Sequence, residues 1–231
     1  MVDIISTGCG VSDELLKGGI EAGFINTIYG PGSSGKTTLC MQAAIDCIKE
    51  GFKVVYMDTE NGFNPERFSQ LAGEKFKEIL EKIIFIKINS YEDQYKKIKS
   101  LNKLKKENSI RLFIIDTIGN YYRSEQSIDA KEKNAMMLEQ LGTIRGIAKE
   151  NNKFILMANQ VYSKLNENKI EPVGGKIITN FNNCLIEFTM DDEKKREMIL
   201  RKYTSYNREM DNNISMGIKF KIVEKGIVYD K

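Results

Sequence analysis

The chain has 231 residues, 41% hydrophobic and 29% charged, and its 35 basic against 32 acidic side chains leave a net charge of +3. That length suits one core domain, residues 1–231, of soluble globular type, and the charge excess is too small to imply nucleic-acid binding by itself. Histidine is absent and Cys9, Cys40, Cys47 and Cys184 lack C-x-x-C spacing, which excludes structural zinc sites, imidazole bases and histidine-dependent triads.

Any catalysis is therefore left to carboxylates, amides, lysine and a metal ion. The opening Met1–Ser6 has neither a basic n-region nor a long apolar h-region, and no apolar run exceeds strand length, so no secretion signal or membrane span is expected and a cytoplasmic location is the default.

The first predicted strand, Phe24–Tyr29, runs into Gly30-Pro31-Gly32-Ser33-Ser34-Gly35-Lys36-Thr37, followed by Thr38. This fills the phosphate-binding pattern G-x-x-x-x-G-K-[ST] without mismatch. Glycines let backbone N–H groups curl around phosphate oxygens, and the next helix, Lys36 to Glu50, turns its positive end toward the same anion. Lys36 is expected to reach the β- and γ-phosphates of a nucleoside triphosphate, and the Thr37 hydroxyl to ligate Mg²⁺. Cys40 and Cys47 read as small buried hydrophobes of that helix.

Apolar strands then alternate with helical patterns. Strands are predicted at Lys53–Asp58, Ile83–Ile88, Arg111–Asp116 and Lys153–Ala158, and helices at Pro65–Leu80, Tyr91–Lys106 and Lys131–Glu150. Near-continuous apolar strands with crossover helices imply an α/β fold with a mostly parallel sheet covered on both faces, its ligands at the strand C-termini. Asp116 closes its strand as a Walker B carboxylate would, holding Mg²⁺ directly or through water. Glu60 just after the second strand and Asp58 at its end compete for the role of water-activating base. Gln160, beyond the fifth strand, reads equally as a γ-phosphate sensor and as a surface amide. From about Asn183 the helices stop, and Cys184–Phe188, Met198–Tyr203 and Gly217–Ile222 read as an antiparallel extension of the same sheet.

The segments Gly30–Thr37, Tyr56–Glu60, Asn64–Arg67, Leu112–Asp116, Tyr122-Arg123 and Asn159–Val161 stand in the order found in RecA/RadA-type recombinase cores, and Gly18–Gly23 is similar to the stretch before their phosphate loop. The resemblance covers nearly the whole chain and extends to archaeal members of the family. It implies a RecA-like P-loop NTPase core binding ATP and Mg²⁺, with Glu60 as water-activating carboxylate, Lys36 on the phosphates, Gln160 as γ-phosphate sensor, and Thr37 and Asp116 at the metal. It implies DNA, single-stranded or branched, and a RadA-type recombinase as partners in homologous recombination and repair. Two DNA loops are implied: one around Ser124–Ala130, and one over Val161–Glu171 closed by Pro172-Val173-Gly174-Gly175.

The chain departs from the family pattern in ways that lower the expected activity. It starts almost at the core, without the N-terminal helical domain or the Phe-x-x-Ala filament motif, so an auxiliary role is expected and homo-oligomers are left open. The implied DNA loops are poor in basic residues. The stretch Tyr203–Arg208 lacks the proline that covers ATP across subunits in many relatives, which implies weak, DNA-dependent ATPase activity. Lys194, Lys195, Arg196, Arg201, Lys202 and Arg208, with Tyr203 and Tyr206, form either a nucleic-acid groove or a solvated edge. The lysines between Lys96 and Lys106 are assigned to the outer face of a crossover helix. Two rival readings are a non-enzymatic recombination mediator that uses ATP only structurally, and a KaiC-like regulatory ATPase. The latter usually shows paired glutamates where this chain has Thr59-Glu60-Asn61.

Overall fold

The computed structural model describes residues 3–163, 170–205 and 217–230. The elements run β1 (Ile4–Ile5), α1 (Gly10–Leu15), β2 (Ile20–Glu21), β3 (Ile25–Tyr29), α2 (Lys36–Lys49), β4 (Lys53–Asp58), α3 (Pro65–Ala72), α4 (Phe76–Leu80), β5 (Ile83–Lys87), α5 (Tyr91–Ser100) and β6 (Ile110–Asp116). The order continues α6 (Asn120–Ser124), α7 (Ala130–Glu150), β7 (Phe154–Asn159), β8 (Val161–Ser163), β9 (Ile170–Pro172), α8 (Gly175–Phe181), β10 (Cys184–Met190), β11 (Arg196–Tyr203), β12 (Gly217–Val223) and β13 (Gly226–Tyr229).

One nine-stranded sheet has the order β13-β12-β11-β10-β3-β7-β6-β4-β5. From β10 to β5 all neighbours are parallel, and from β10 to β13 they are antiparallel. The expected mostly parallel sheet with a C-terminal antiparallel part is therefore present, with one correction. The strand at Cys184 is parallel to β3, and the antiparallel part starts only at β11. The seven-residue α8 supplies a helical crossover before β10, and a helix that short leaves little periodicity to detect in sequence. The final strand β13, paired with β12 around the two-residue turn Glu224-Lys225, was not anticipated.

The sheet is covered on both sides because its central strands carry apolar side chains on both faces. Val54, Tyr56, Leu112, Ile114 and Leu156 pack against α2, Phe68 and Ile79. Their neighbours Val55, Met57, Phe113, Ile115 and Ile155 pack against α5 and α7 through Tyr91, Ile98, Leu141 and Ile144. Alternation along each strand thus feeds two cores, and each fully buried side chain of this size contributes about 1.5–3 kcal/mol. Local signals set the helix ends. Asn64 accepts from the Arg67 N–H at 3.0 Å, Ser90 from Asp93 at 3.1 Å, and Asp129 from Lys131 at 2.7 Å, caps worth about 1 kcal/mol each.

Two predicted helices are shorter than expected. Pro65–Leu80 is broken at Gly73, whose φ of 64° carries the chain out of α3 before α4 begins. The helix at Tyr91 ends at Ser100 in a 3₁₀ turn, Leu101–Lys103. Lys103, Lys105 and Lys106 therefore lie at or past the helix end. Among the described residues no helix is long and apolar enough to cross a membrane.

Two glycines give a stability test of opposite sign. A Cβ on Gly119 would sit 2.3 Å from Asn159 Oδ1 and 2.9 Å from Val173, whereas one on Gly142, inside α7, would meet nothing within 4 Å. Gly119→Ala is expected to lower the unfolding free energy by about 1–3 kcal/mol through overpacking. Gly142→Ala is expected to raise it by about 0.5–1 kcal/mol by reducing backbone freedom in the unfolded chain. Urea unfolding monitored by circular dichroism measures both, and equal effects would contradict the packing described.

Candidate nucleotide site

The C-terminal ends of β3, β4, β6 and β7 meet at one edge of the sheet and supply a cleft of about 400 Å³. Its floor is the loop between β3 and α2. Gly35 precedes α2 with φ 111°, and Lys36 to Thr38 form the first turn, so the positive end of a fourteen-residue helix faces the cleft. The Lys36 ammonium is buried and donates to the carbonyls of Gly30 at 2.9 Å and Pro31 at 2.7 Å. Burial pushes its pKa down, while the carboxylates of Asp116 and Glu60 pull it back up.

The two candidate bases have different surroundings. Asp58 is buried and accepts the backbone N–H groups of Glu60 at 3.0 Å, Gly62 at 3.2 Å and Phe63 at 3.1 Å. It holds the turn after β4. Glu60 lines the cleft, and its Oε1 accepts from Thr117 Oγ1 at 2.6 Å and from Gln160 Nε2 at 2.7 Å. Gln160 Oε1 in turn accepts from the Arg123 guanidinium at 3.2 Å. A polar chain thus joins Thr117, Glu60, Gln160 and Arg123 across the mouth of the cleft.

Asp116 is buried at the end of β6 and accepts from the Tyr56 hydroxyl at 2.9 Å. Burial pushes its carboxyl up to about 6, hydrogen bonds from Thr37 and Tyr56 oppose that, and the carboxylates of Glu60 and Asp58 add to it. Thr37 and Asp116 thus present two hard oxygen donors side by side, the chemistry a Mg²⁺–phosphate pair needs. The buried Ser34 hydroxyl, within the loop, has no hydrogen-bond partner among the described residues. An orphaned donor there fits a site built for an anion's oxygens.

Every residue from Gly30 to Thr38 except Ser34 lines the cleft, as do Glu60 and Gln160; Asp116 is not among the lining residues and lies buried at the end of β6. Thr117, Arg123, Val161 and Ile222 also line it and were not assigned to the site. Arg123 and Val161 stand in the Tyr122-Arg123 and Asn159–Val161 segments, which were the signals available for them. Ile222 arrives from β12, whose placement over the loop depends on the whole C-terminal sheet.

The implied loops are only partly described. The first is a short turn in which Glu125 accepts from the backbone and hydroxyl of its neighbour Ser127 at 2.8 and 2.6 Å. The second begins and ends as a two-stranded ribbon, Val161 opposite Pro172 and Ser163 opposite Ile170; Lys164 and Lys169 lie outside the described residues. Asn159 anchors its base, donating to the Val173 carbonyl at 2.8 Å and accepting the Gln160 N–H at 2.9 Å.

The C-terminal basic groove does not assemble among the described residues. Arg201 pairs with Glu187 at 2.6 Å, Lys195 with Glu193 at 2.5 Å, and Tyr203 is buried with its hydroxyl on Glu21. Arg196 reaches the Ser33 carbonyl, and Lys202 the Thr179 carbonyl at 2.8 Å. Tyr206 and Arg208 lie outside the described residues. Strand pairing decides this: most of these side chains are drawn to separate local partners.

Comparison with known proteins agrees with the geometry. A RadB protein of Methanosphaera stadtmanae, described as a DNA repair and recombination protein, is 34% identical over 219 residues, 94% of this chain and 92% of its own. Its counterpart in Methanococcoides burtonii is 32% identical over 203 residues, 86% and 88% of the two chains. A crystal structure described as the RadB recombinase superposes with a TM-score of 0.80 at 28% identity, covering 99% of this chain and all of that one. The family model described as Rad51 matches residues 1–228, and the chain belongs to the Rad51 family.

Proposed function

We propose that this chain is a cytoplasmic ATP- and DNA-binding protein of homologous recombination and repair that assists a RadA-type recombinase and hydrolyses ATP slowly with Mg²⁺. The observation that carries this reading is the Glu60–Gln160 hydrogen bond of 2.7 Å. It links a carboxylate in the cleft to the residue that opens the β8–β9 ribbon, so occupancy of the cleft can bias the ribbon.

ATP would supply the γ-phosphoryl group transferred to water, and Mg²⁺, held by Thr37 and Asp116, would supply charge neutralisation at its oxygens. Lys36 holds the β- and γ-phosphates after leaving the carbonyls of Gly30 and Pro31, and Thr37 and Asp116 orient the ion. Glu60 accepts the proton of the attacking water. Gln160 exchanges its bond to Glu60 for one to phosphate or water, and Arg123 follows it.

The test measures phosphate release with ATP and Mg²⁺, with and without oligothymidine, and oligothymidine affinity with ATP against ADP. Slow release that rises with DNA, and a DNA affinity that differs between the two nucleotides, are expected. No release together with identical affinities would overturn the reading.

A further inference from the structure

At the opposite edge of the sheet lies a second cavity, of about 430 Å³, lined by Phe24, Arg145, Lys149, Phe181, Asn183 and Lys202 among others. Phe24 and Asn183 directly precede β3 and β10, whose far ends carry the nucleotide loop side. The two sites are thus separated by the length of a five-residue strand, about 17 Å. None of the described residues lining this cavity is acidic.

The cations here are held differently from those on and just after α5. On α5, Lys96 and Lys97 pair with Glu92 and Asp93 one turn away and Lys99 reaches across to Glu139, and beyond the helix Lys105 pairs with Glu150. Arg145 and Lys149 stand one turn apart on the exposed face of α7, an arrangement in which like charges repel, and neither has an ion-pair partner among the described residues. Arg145 lies 4.5 Å over the Phe181 ring, which fixes the guanidinium at the cavity wall.

Lys202 completes the group because of a strand irregularity. Lys202 pairs with Leu185 and Leu200 with Ile186, so Arg201 is an extra residue in β11. The bulge lets Arg201 reach Glu187 while Lys202 turns to α8, where it donates to Thr179.

We infer that this cavity is a phosphate-backbone subsite for single-stranded nucleic acid, with Arg145 and Lys149 on successive phosphates and Lys202 behind them. A concave wall of this size suits a strand whose bases can turn away from one another, and the Arg145–Phe181 pair offers a flat surface for a base to stack on. The inference rests on the DNA-binding part of the proposed function. It locates a contact distant from the nucleotide cleft and from the β8–β9 ribbon.

The test is fluorescence anisotropy of labelled oligothymidine over a salt series, comparing wild type, Arg145→Gln/Lys149→Gln and the charge-matched surface control Lys103→Gln/Lys106→Gln. Loss of two phosphate contacts should reduce the slope of log K against log salt by about 1.4 and weaken binding roughly tenfold or more, with the control near wild type. If wild type binds and the two double variants behave alike, the cavity is not the subsite although the functional reading stands; if wild type fails to bind, both fall. Acetylation footprinting on wild-type protein adds a readout independent of folding. Oligothymidine should protect Lys149 but not Lys103 or Lys106. Equal reactivity of Lys149 with and without DNA, or a variant that changes thermal stability but not the salt slope, would assign these cations to helix-end stabilisation instead.

Discussion

Lys36→Met is expected to abolish the thermal stabilisation that ATP and Mg²⁺ give the wild type while leaving the nucleotide-free protein at least as stable. A ligand at about 100 times its Kd adds about 2.7 kcal/mol. For a chain of this length that is a rise in melting temperature of about 5–10 °C. Lys36 reaches two phosphates in the proposed complex, and hydrogen bonds to charged groups contribute about 1.5–3 kcal/mol each. Their loss weakens binding at least about 10²-fold, which removes nearly the whole shift at the same nucleotide concentration. In the free protein the same ammonium is buried against two carbonyls, a position whose desolvation opposes the charge, and the methionine stem keeps the apolar contacts of the lysine stem. Differential scanning fluorimetry with and without ATP reads both quantities. A shift in the variant equal to wild type would remove Lys36 from the phosphate site.

The parts of this site that were legible in the sequence are those written in contiguous residues. The strand–glycine loop–helix at Gly30–Thr37 and the carboxylate closing the strand at Asp116 carry their geometry in local spacing. What spacing could not resolve was the choice between Asp58 and Glu60. They differ because three backbone amides close on Asp58, whereas the partners of Glu60, Thr117 and Gln160, stand just past β6 and β7, 57 and 100 positions away. Arg123, Thr117 and Ile222 escaped assignment for the same reason. The basic C-terminal segment shows the converse: its charge density left a groove and a solvated edge equally open, and β-strand pairing and a bulge sent Arg201 and Lys202 to different partners, the second into a cavity with cations of α7.

Glu60→Gln is expected to lower the rate of ATP hydrolysis by about 10²–10⁴-fold while preserving the thermal shift given by ATP and Mg²⁺. The substitution is nearly isosteric. Both hydrogen bonds to Glu60 go to Oε1, and a glutamine carbonyl can accept the same two, so the polar chain to Gln160 and Arg123 is retained. What disappears is the basicity of the second oxygen, the one left to take a proton from water, and general-base catalysis contributes a factor of that size. Asp58→Asn is the internal contrast. Its carboxylate satisfies three backbone N–H groups, and an amide there turns its own donors toward some of them. The expected result is a loss of about 1–3 kcal/mol in unfolding free energy, with the protein that remains folded still hydrolysing ATP. Single-turnover phosphate release separates chemistry from binding, and urea unfolding reports the stability of each variant. If Glu60→Gln hydrolyses at the wild-type rate while Asp58→Asn binds ATP without turnover, the two roles must be exchanged. If both variants keep the wild-type rate, the carboxylates after β4 serve the turn alone and the proton goes elsewhere.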